Sequence, residues 1–384
     1  MRINSSFLFC ISLLFITGCS SSKKINDSAS SGIRRLQFIN EYIVPNDIQF
    51  KGTTVGGLSG IDYDKARDVF YMICDDPSAK SPARYYTAKL LISNRGIDSV
   101  VFIDVTTLLN QEGKPYPDIT IDRIHSADLE AMRYDPVKDI LIRSTEGQRV
   151  IKDNKQELQN PDIVIMDRNG QYKDSFVLPA NMHLQAIEKG PRHNSVFEGL
   201  DFTDNYRYLY VSVEEALYED GLKAGTGDST SWVRFLKFDM ETKRQVAQHA
   251  YKIGSIPYPA NPPGAFKVNG VTDILYMGND KFLVIERAFS TGRIPSDIRI
   301  YLADAGGAED ITTVQSLKAD PPLKPISKKL LFNMNKKLKP VIYNIEGVTF
   351  GPILSNGHRS LIFVTDNNFS AKEKSQFLLF EVIP

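Results

Sequence analysis

Cysteine is scarce, with three in 384 residues (Cys10, Cys19 and Cys74). That is too few for a disulfide framework, and with no cysteine pair and five scattered histidines no zinc site is expected. An excess of either charge is missing as well. Forty-six basic residues balance 46 acidic ones, which excludes a nucleic-acid partner held by bulk charge. No Gly-x-Ser-x-Gly elbow, P-loop or dinucleotide glycine fingerprint stands in the context each requires. A serine-hydrolase mechanism therefore has no support in the sequence.

What is present begins at the N-terminus. Arg2, the ten-residue apolar run FLFCISLLFI and the tetrapeptide ITGC form a secretory signal ending in a lipobox, too short to span a bilayer comfortably. Small Gly18 before Cys19 predicts lipidation at Cys19 and cleavage of residues 1–18. The polar stretch SSSKKINDSASSG reads as a flexible tether over residues 19–32, with one folded domain from 33 to 384. Ser20 and the lysines after it point to the periplasmic side of a bacterial outer membrane. Cys74 is then the one cysteine left to the folded part.

Five related units follow. Their first strands are LSGIDYD, LEAMRYD, FEGLDFT, VTDILYM and IEGVTFG, registered on Ser59, Glu130, Glu198, Thr272 and Glu346 at steps of 71, 68, 74 and 74 residues. Apolar residues two and four positions beyond each registered residue predict a strand with all three on one face. A second strand ends on an acid in each unit: Asp75, Glu146, Glu214, Glu286 and Asp366. Third strands follow, with fourth strands in SVVFIDV, YKDSFVL and RQVAQHAYKI. The last unit runs out of chain, and RRLQFINEYIV at the start of the folded part is available to complete it.

Repeated four-stranded units closed by joining the termini describe an all-β propeller. The count is five blades, with a sixth left open in the longer connections. Alternating strand direction gathers the registered glutamates and the second-strand acids at one mouth, along with Arg84, Arg234 and Arg299 at the starts of third strands. Crowded carboxylates raise one another's pKa unless cations compensate, and an all-oxygen set suits calcium. The same side chains also allow a plain reading, in which Glu214–Arg234, Asp75–Arg84 and Glu286–Arg299 pair across strands and the glutamates lock blade to blade. The insertion YEDGLKAGTGDSTSW is placed as a lid or as an ordinary connection, and His125 and His193 as proton carriers or as ordinary polar side chains.

In order along the chain, GGLSGIDYD, FYMICDD, DLEAMRYDP, NSVFEGLDFTDNYRYLYVSVEEAL, VTDILYMGNDKFLVIERAF and IRIYLAD resemble the phytase-like family described as esterase-like activity of phytase. The resemblance runs from about Gly56 to the C-terminus. It implies a secreted or envelope propeller that hydrolyses phosphoester or related ester bonds, with calcium assistance. It also implies Glu130, Glu198 and Glu346 as catalytic acids and Asp75, Glu146, Glu214, Glu286 and Asp366 as metal ligands; the mouth geometry adds Arg84, Arg234 and Arg299 as contacts for a small anionic or ester substrate. Ser59 and Thr272 depart from the glutamate pattern, and the dense acid and lysine cluster that a polyphosphorylated ring needs is missing. The competing functions are a non-catalytic propeller binding a carbohydrate, peptide or protein, and a quinone-dependent sugar dehydrogenase. The oligomeric state is not legible.

Overall fold

Each first strand breaks the alternation expected of it. In all five units the apolar residues that share a face fall three apart before they fall two apart: Leu58, Ile61, Tyr63; Leu129, Met132, Tyr134; Phe197, Leu200, Phe202; Val271, Ile274, Tyr276; Ile345, Val348, Phe350. The extra residue is a β-bulge, and the strand register skips at Ser59, at Glu130–Ala131, at Glu198, at Thr272 and at Glu346. The single-face assignment of the registered residues is therefore corrected. A bulge re-aims its side chain, and here it turns the registered residue out of the apolar seam.

The structure, a computed structural model, describes residues 33–384 apart from 47, 94, 153–154 and 228–230. The expected signal, the lipidation at Cys19 and the tether all lie outside the described residues. Five four-stranded antiparallel sheets form a five-bladed β-propeller. Blade 1 runs Leu58–Asp64, Val69–Cys74, Arg84–Ser93, Gly96–Thr107. Blade 2 runs Leu129–Asp135, Ile140–Thr145, Ile163–Asp167, Tyr172–Ser175, with a hairpin, Gln148–Lys152 and Lys155–Gln159, before its third strand. Blade 3 runs Phe197–Phe202, Tyr208–Val213, Trp232–Asp239, Gln245–Lys252, and blade 4 runs Lys267–Gly278, Lys281–Ser290, Arg293–Asp304, Ser327–Asn333. Blade 5 takes Asn344–Ile353, Arg359–Asp366 and Ser375–Ile383 from the C-terminus and Arg35–Val44 from the N-terminus as its outer strand. That closure is the expected one; the outer strand of blade 4, reached through a long loop, is one the sequence reading did not find.

Apolar side chains from adjoining blades pack into five seams, one per blade pair. Phe70, Met72 and Cys74 of one second strand enter the seam with blade 5, while Val69, Tyr71 and Ile73 enter the seam with blade 2. Burial on both faces is why the second strands read as unbroken apolar runs.

The first strands crowd the axis. A Cβ on Gly199 would lie 2.7 Å from the Ile274 nitrogen and 2.8 Å from the Asp273 Cα; on Gly60 and Gly347 it would come within 3.1 Å of backbone in the next blade. Below the bulges the axis is closed by one buried guanidinium. Arg133 Nη2 lies 3.0 and 2.8 Å from the two Asp273 carboxylate oxygens, and its amino groups donate to the carbonyls of Ile61, Met132, Ile274 and Val348. Asp201 Oδ1 lies 3.5 Å from Arg133 Nε. Asp62 accepts from the Tyr134 amide and the Thr349 hydroxyl. Blades 1, 2, 3, 4 and 5 all contribute to this hub. Burial pushes Asp273 up to about 6 and Asp201 up to about 7, against the pull of Arg133.

Replacing Arg133 by Met leaves these carboxylates without their counter-ion, and breaking a buried ion pair from one side costs about 3–5 kcal/mol. Urea denaturation of Arg133→Met is expected to show a midpoint lowered accordingly, and an unchanged midpoint would mean that the hub does not hold the blades.

Candidate functional site

Above the hub, the bulged residues form a ring around the axis: Ser59, Glu130, Glu198, Thr272 and Glu346. Ser59 Oγ donates to the Leu129 carbonyl at 3.4 Å and Thr272 Oγ1 to the Ile345 carbonyl at 3.0 Å, each reaching the next blade. These two are blade ties. The three glutamates line a cavity of about 630 Å³.

A second ring stands further out, where each second strand, or the residue just after it, lies opposite the residue two before the bulge. The pairs are Gly57 with Asp75, Asp128 with Glu146, Val196 with Glu214, Gly270 with Arg287 and Asn344 with Asp366. In blade 4 the ring member is Arg287, not Glu286. The sequence register slipped by one there, because IER puts an acid beside the true position. Glu286 points the other way: it accepts from the Tyr251 hydroxyl at 2.7 Å and the Gly254 amide at 2.9 Å and pairs with Lys328. It is a structural carboxylate, away from the cavity.

The predicted anion contacts are also relocated. Arg84 is buried against Asp76 at 2.8 Å and the Tyr86 hydroxyl at 2.7 Å. Arg234 makes a two-pronged pair with Asp220 at 2.6 and 2.8 Å. Arg299 pairs with Asp297 at 2.5 Å. None of them lines the cavity. Third strands start one strand further from the axis, where a nearby carboxylate meets each guanidinium inside its own blade. Glu286 and Arg299 do stand directly opposite across their strands, but their ion pairs go to Lys328 and Asp297, and Arg84 and Arg234 pair with Asp76 and Asp220 in place of Asp75 and Glu214.

The positive groups that do face the cavity are Arg287, Lys223 and Lys372. Arg287 donates to Glu346 Oε1 at 2.8 Å and Glu214 Oε1 at 3.2 Å and also pairs with Asn344. Lys223, from the Tyr218–Trp232 insertion, pairs with Glu215, so that insertion does contribute to the cavity. His193 lines it too, while His125 lies elsewhere, exposed beside Asp122. Burial and the charges of Arg123, Arg149 and Lys223 hold the His193 imidazole below its ordinary pKa.

Acid outweighs base around the axis. Asp75, Asp128, Glu130, Glu146, Glu198, Glu214, Glu346 and Asp366 surround the single guanidinium of Arg287. Burial pushes the carboxyls of Asp75, Glu130, Glu146, Glu198 and Asp366 well up, and neighbouring carboxylates push them further. Asp128 and Glu346 are raised by burial as well, and Glu214 reaches about 7 despite Arg287. Within the cluster, ligand oxygens of Glu130, Glu146 and Glu198 lie within 4.8 Å of one another, as do those of Asp75, Asp128 and Glu130. Glu146 Oε1 accepts from the Val196 amide at 2.6 Å, but its Oε2 is buried with no N–H donor or cation, and the Glu198 carboxyl is within hydrogen-bonding reach of Glu146 when one of the two is protonated. An oxygen-only donor set with an orphaned carboxylate oxygen fits a hard cation such as calcium. Asp366, capped by the Asn368 amide at 2.8 Å, stands behind Glu346 and does not line the cavity.

Asp128, Glu215, Arg287 and Lys223 escaped the sequence reading. Asp128 had a signal, since it precedes Glu130 by two and opposes Glu146. The others come from the slipped register and from loops.

The fold and this mouth define a five-bladed propeller with an acidic axial cavity. The chain belongs to the phytase-like family described as "Esterase-like activity of phytase", whose model matches residues 53–369. An uncharacterized secreted protein of Arthroderma benhamiae is 26% identical over 151 residues, covering 36% of this chain and 28% of that protein. The chain thus matches under a third of that relative's length. Among solved structures, an α-L-arabinofuranosidase from Lactobacillus brevis aligns over 88% of this chain and 92% of its own, at 10% identity and a TM-score of 0.49. The periplasmic gluconolactonase of Pseudomonas aeruginosa aligns over 91% and 96%, at 10% identity and 0.37.

The raised carboxyls set the pH dependence of stability. Between the ordinary carboxylate range near 4 and their raised folded values, about 7 for Glu214, the folded state holds more protons than the unfolded one, so stability falls as pH rises. In chelator, the melting temperature is expected to drop from pH 5 to pH 8, and calcium is expected to remove most of that slope. A flat profile in chelator would show the acids satisfied within the protein.

Proposed function

We propose that this protein is a calcium-assisted hydrolase of phosphoester or related ester bonds, working at the acidic end of the propeller axis. The observation that carries the reading is the unpartnered, buried Oε2 of Glu146 beside Glu130 and Glu198. A buried carboxylate oxygen without a partner is costly, and a cation is the partner it lacks. Membership of a family described by esterase-like activity supports the ester chemistry.

Glu130, Glu146 and Glu198 would hold the ion, with Asp75 and Asp128 sharing Glu130 on the other side. Calcium bound there would neutralise negative charge on the ester and make water a stronger acid. The chain's own groups do the rest. Glu198 and Glu130 line the cavity with carboxyls that burial and neighbouring carboxylates push up, which makes each a stronger base toward attacking water once it is ionised. Arg287, fixed by Glu214 and Glu346, presents a positive edge to developing negative charge. His193, kept neutral at the rim, is placed to exchange a proton with the departing group.

The envelope location belongs to the same proposal. With a lipid at Cys19 the chain would work tethered to the membrane.

Calcium titration by calorimetry, with phosphate release from a phosphoester panel, tests the reading. Glu198→Gln and Glu130→Gln are expected to lower turnover at least about 100-fold and to weaken calcium binding, with the fold kept. Glu286→Gln, outside the cavity, is expected to leave turnover unchanged. Neither binding nor release in the parent protein would favour a propeller that only binds its partner.

A further inference from the structure

The cavity has two unlike walls. Blades 1, 2, 3 and 5 supply its acids; blade 4 supplies none. Blade 4 instead has first, second and third strands of 12, 10 and 12 residues, against 6, 6 and 8 in blade 3. Its first hairpin continues past the Gly270–Arg287 pair to the Lys267–Ser290 pair, three residues or about 10 Å beyond the acid ring. This projection carries Val268 and Phe289, directly opposite each other across the hairpin, and both line the cavity with Phe266, Pro295 and, from blade 5, Ile342. The Phe266 and Phe289 rings lie 6.1 Å apart, and Phe266 is 62% exposed. A large aromatic left open beside a polar pocket has a use when a ligand covers it.

The cations tell the same story from the other side. Of the three that line the cavity, Arg287 and Lys223 are already ion-paired to Glu214, Glu346 and Glu215. A polyphosphorylated ring would bring more negative charge than the site can meet.

We propose that the substrate is an ester of a single acid group with an aryl or comparably bulky alkyl group: the acid end sits at the carboxylate and calcium floor, and the apolar group lies against Phe266, Phe289 and Val268. This rests on the proposed hydrolytic reading for the chemistry at the floor, but the wall is tested separately. Phe266 and Phe289 act by positioning the apolar group and take no part in bond cleavage.

The experiment compares phenylphosphonate with methylphosphonate, neither of which can be hydrolysed at phosphorus, by calorimetry in calcium with the full folded protein. Phenylphosphonate is expected to bind about 10- to 100-fold more tightly, the worth of covering one ring. Phe266→Ala and Phe289→Leu are expected to remove most of that difference while leaving methylphosphonate binding unchanged. In turnover, the same variants should raise KM for 4-nitrophenyl phosphate and leave kcat near its starting value, with glycerol phosphate unaffected. If the phosphonates bind alike, if neither binds, or if the variants change nothing, the inference is overturned, even where esters are cleaved. If phenylphosphonate binds through Phe266 and no ester is cleaved, the wall stands and the hydrolytic reading falls. Folding of each variant is checked by its melting curve, and Phe289→Leu, which keeps an apolar side chain on the hairpin, tests the wall should Phe266→Ala prove unstable.

Discussion

Crowding at the axis is the constraint from which the rest of the structure follows. Five first strands meet so closely that Gly60, Gly199 and Gly347 leave no room for a Cβ against the next blade. Backbone groups that approach this closely need polar partners inside the ring. Arg133 supplies them, binding four carbonyls and Asp273 with one planar group. An arginine suits this because its donors spread in a fixed fork. The hub closes the axis, so the mouth above it is a blind pocket rather than a channel.

A blind pocket changes the electrostatics of whatever lines it. Carboxylates that would sit comfortably on an open surface are desolvated here and held within reach of one another. Their mutual repulsion cannot be screened by water from below, because the hub fills that space. Arg287 offsets part of it at Glu214 and Glu346, on the blade 4 and blade 5 side. On the far side Arg287 is felt by Glu198 without an ion pair, and Glu130 and Glu146 have no cation paired to them among the described residues. Charge imbalance and the unpartnered Glu146 oxygen therefore fall in one place.

The blade count, the strand order and the closure by the N-terminal strand were legible because each rests on a repeated local pattern. So was the collection of Glu130, Glu198 and Glu346 at one end. Lost to the sequence was anything that depended on a one-residue step. The bulge hid within LEAM and FEGL because a residue inserted into a strand leaves composition untouched; its trace was the spacing of three between Leu129 and Met132. At blade 4, IER offered an acid and a base side by side, and only the pairing with Gly270 shows that Arg287 is the ring member. The arginines at the third strands failed for another reason. Their partners, Asp76, Asp220 and Asp297, come from loops or neighbouring positions whose paths no periodicity describes. Asp62, Asp201 and Asp273 read as ordinary alternating polar residues, though they are buried about one guanidinium.

Blade 4 departs furthest from the repeat: Thr272 stands where three blades have glutamate, a departure shared with Ser59 of blade 1, and Arg287 stands where the other four blades have an acid. A Cβ at Gly270 would lie 2.3 Å from Glu214 Oε1, so the glycine makes room for that carboxylate to lean toward Arg287. Thr272 ties blade 4 to blade 5 instead of adding charge. The same blade lengthens its strands and raises Val268 and Phe289 above the ring. A fully repeated propeller would present a uniform acidic collar with no preferred orientation for a ligand. Placing the cationic ring member and the apolar projection in the same blade gives the cavity a charged floor, a positive edge and an apolar wall in fixed order, and that order is what gives a ligand one way to lie.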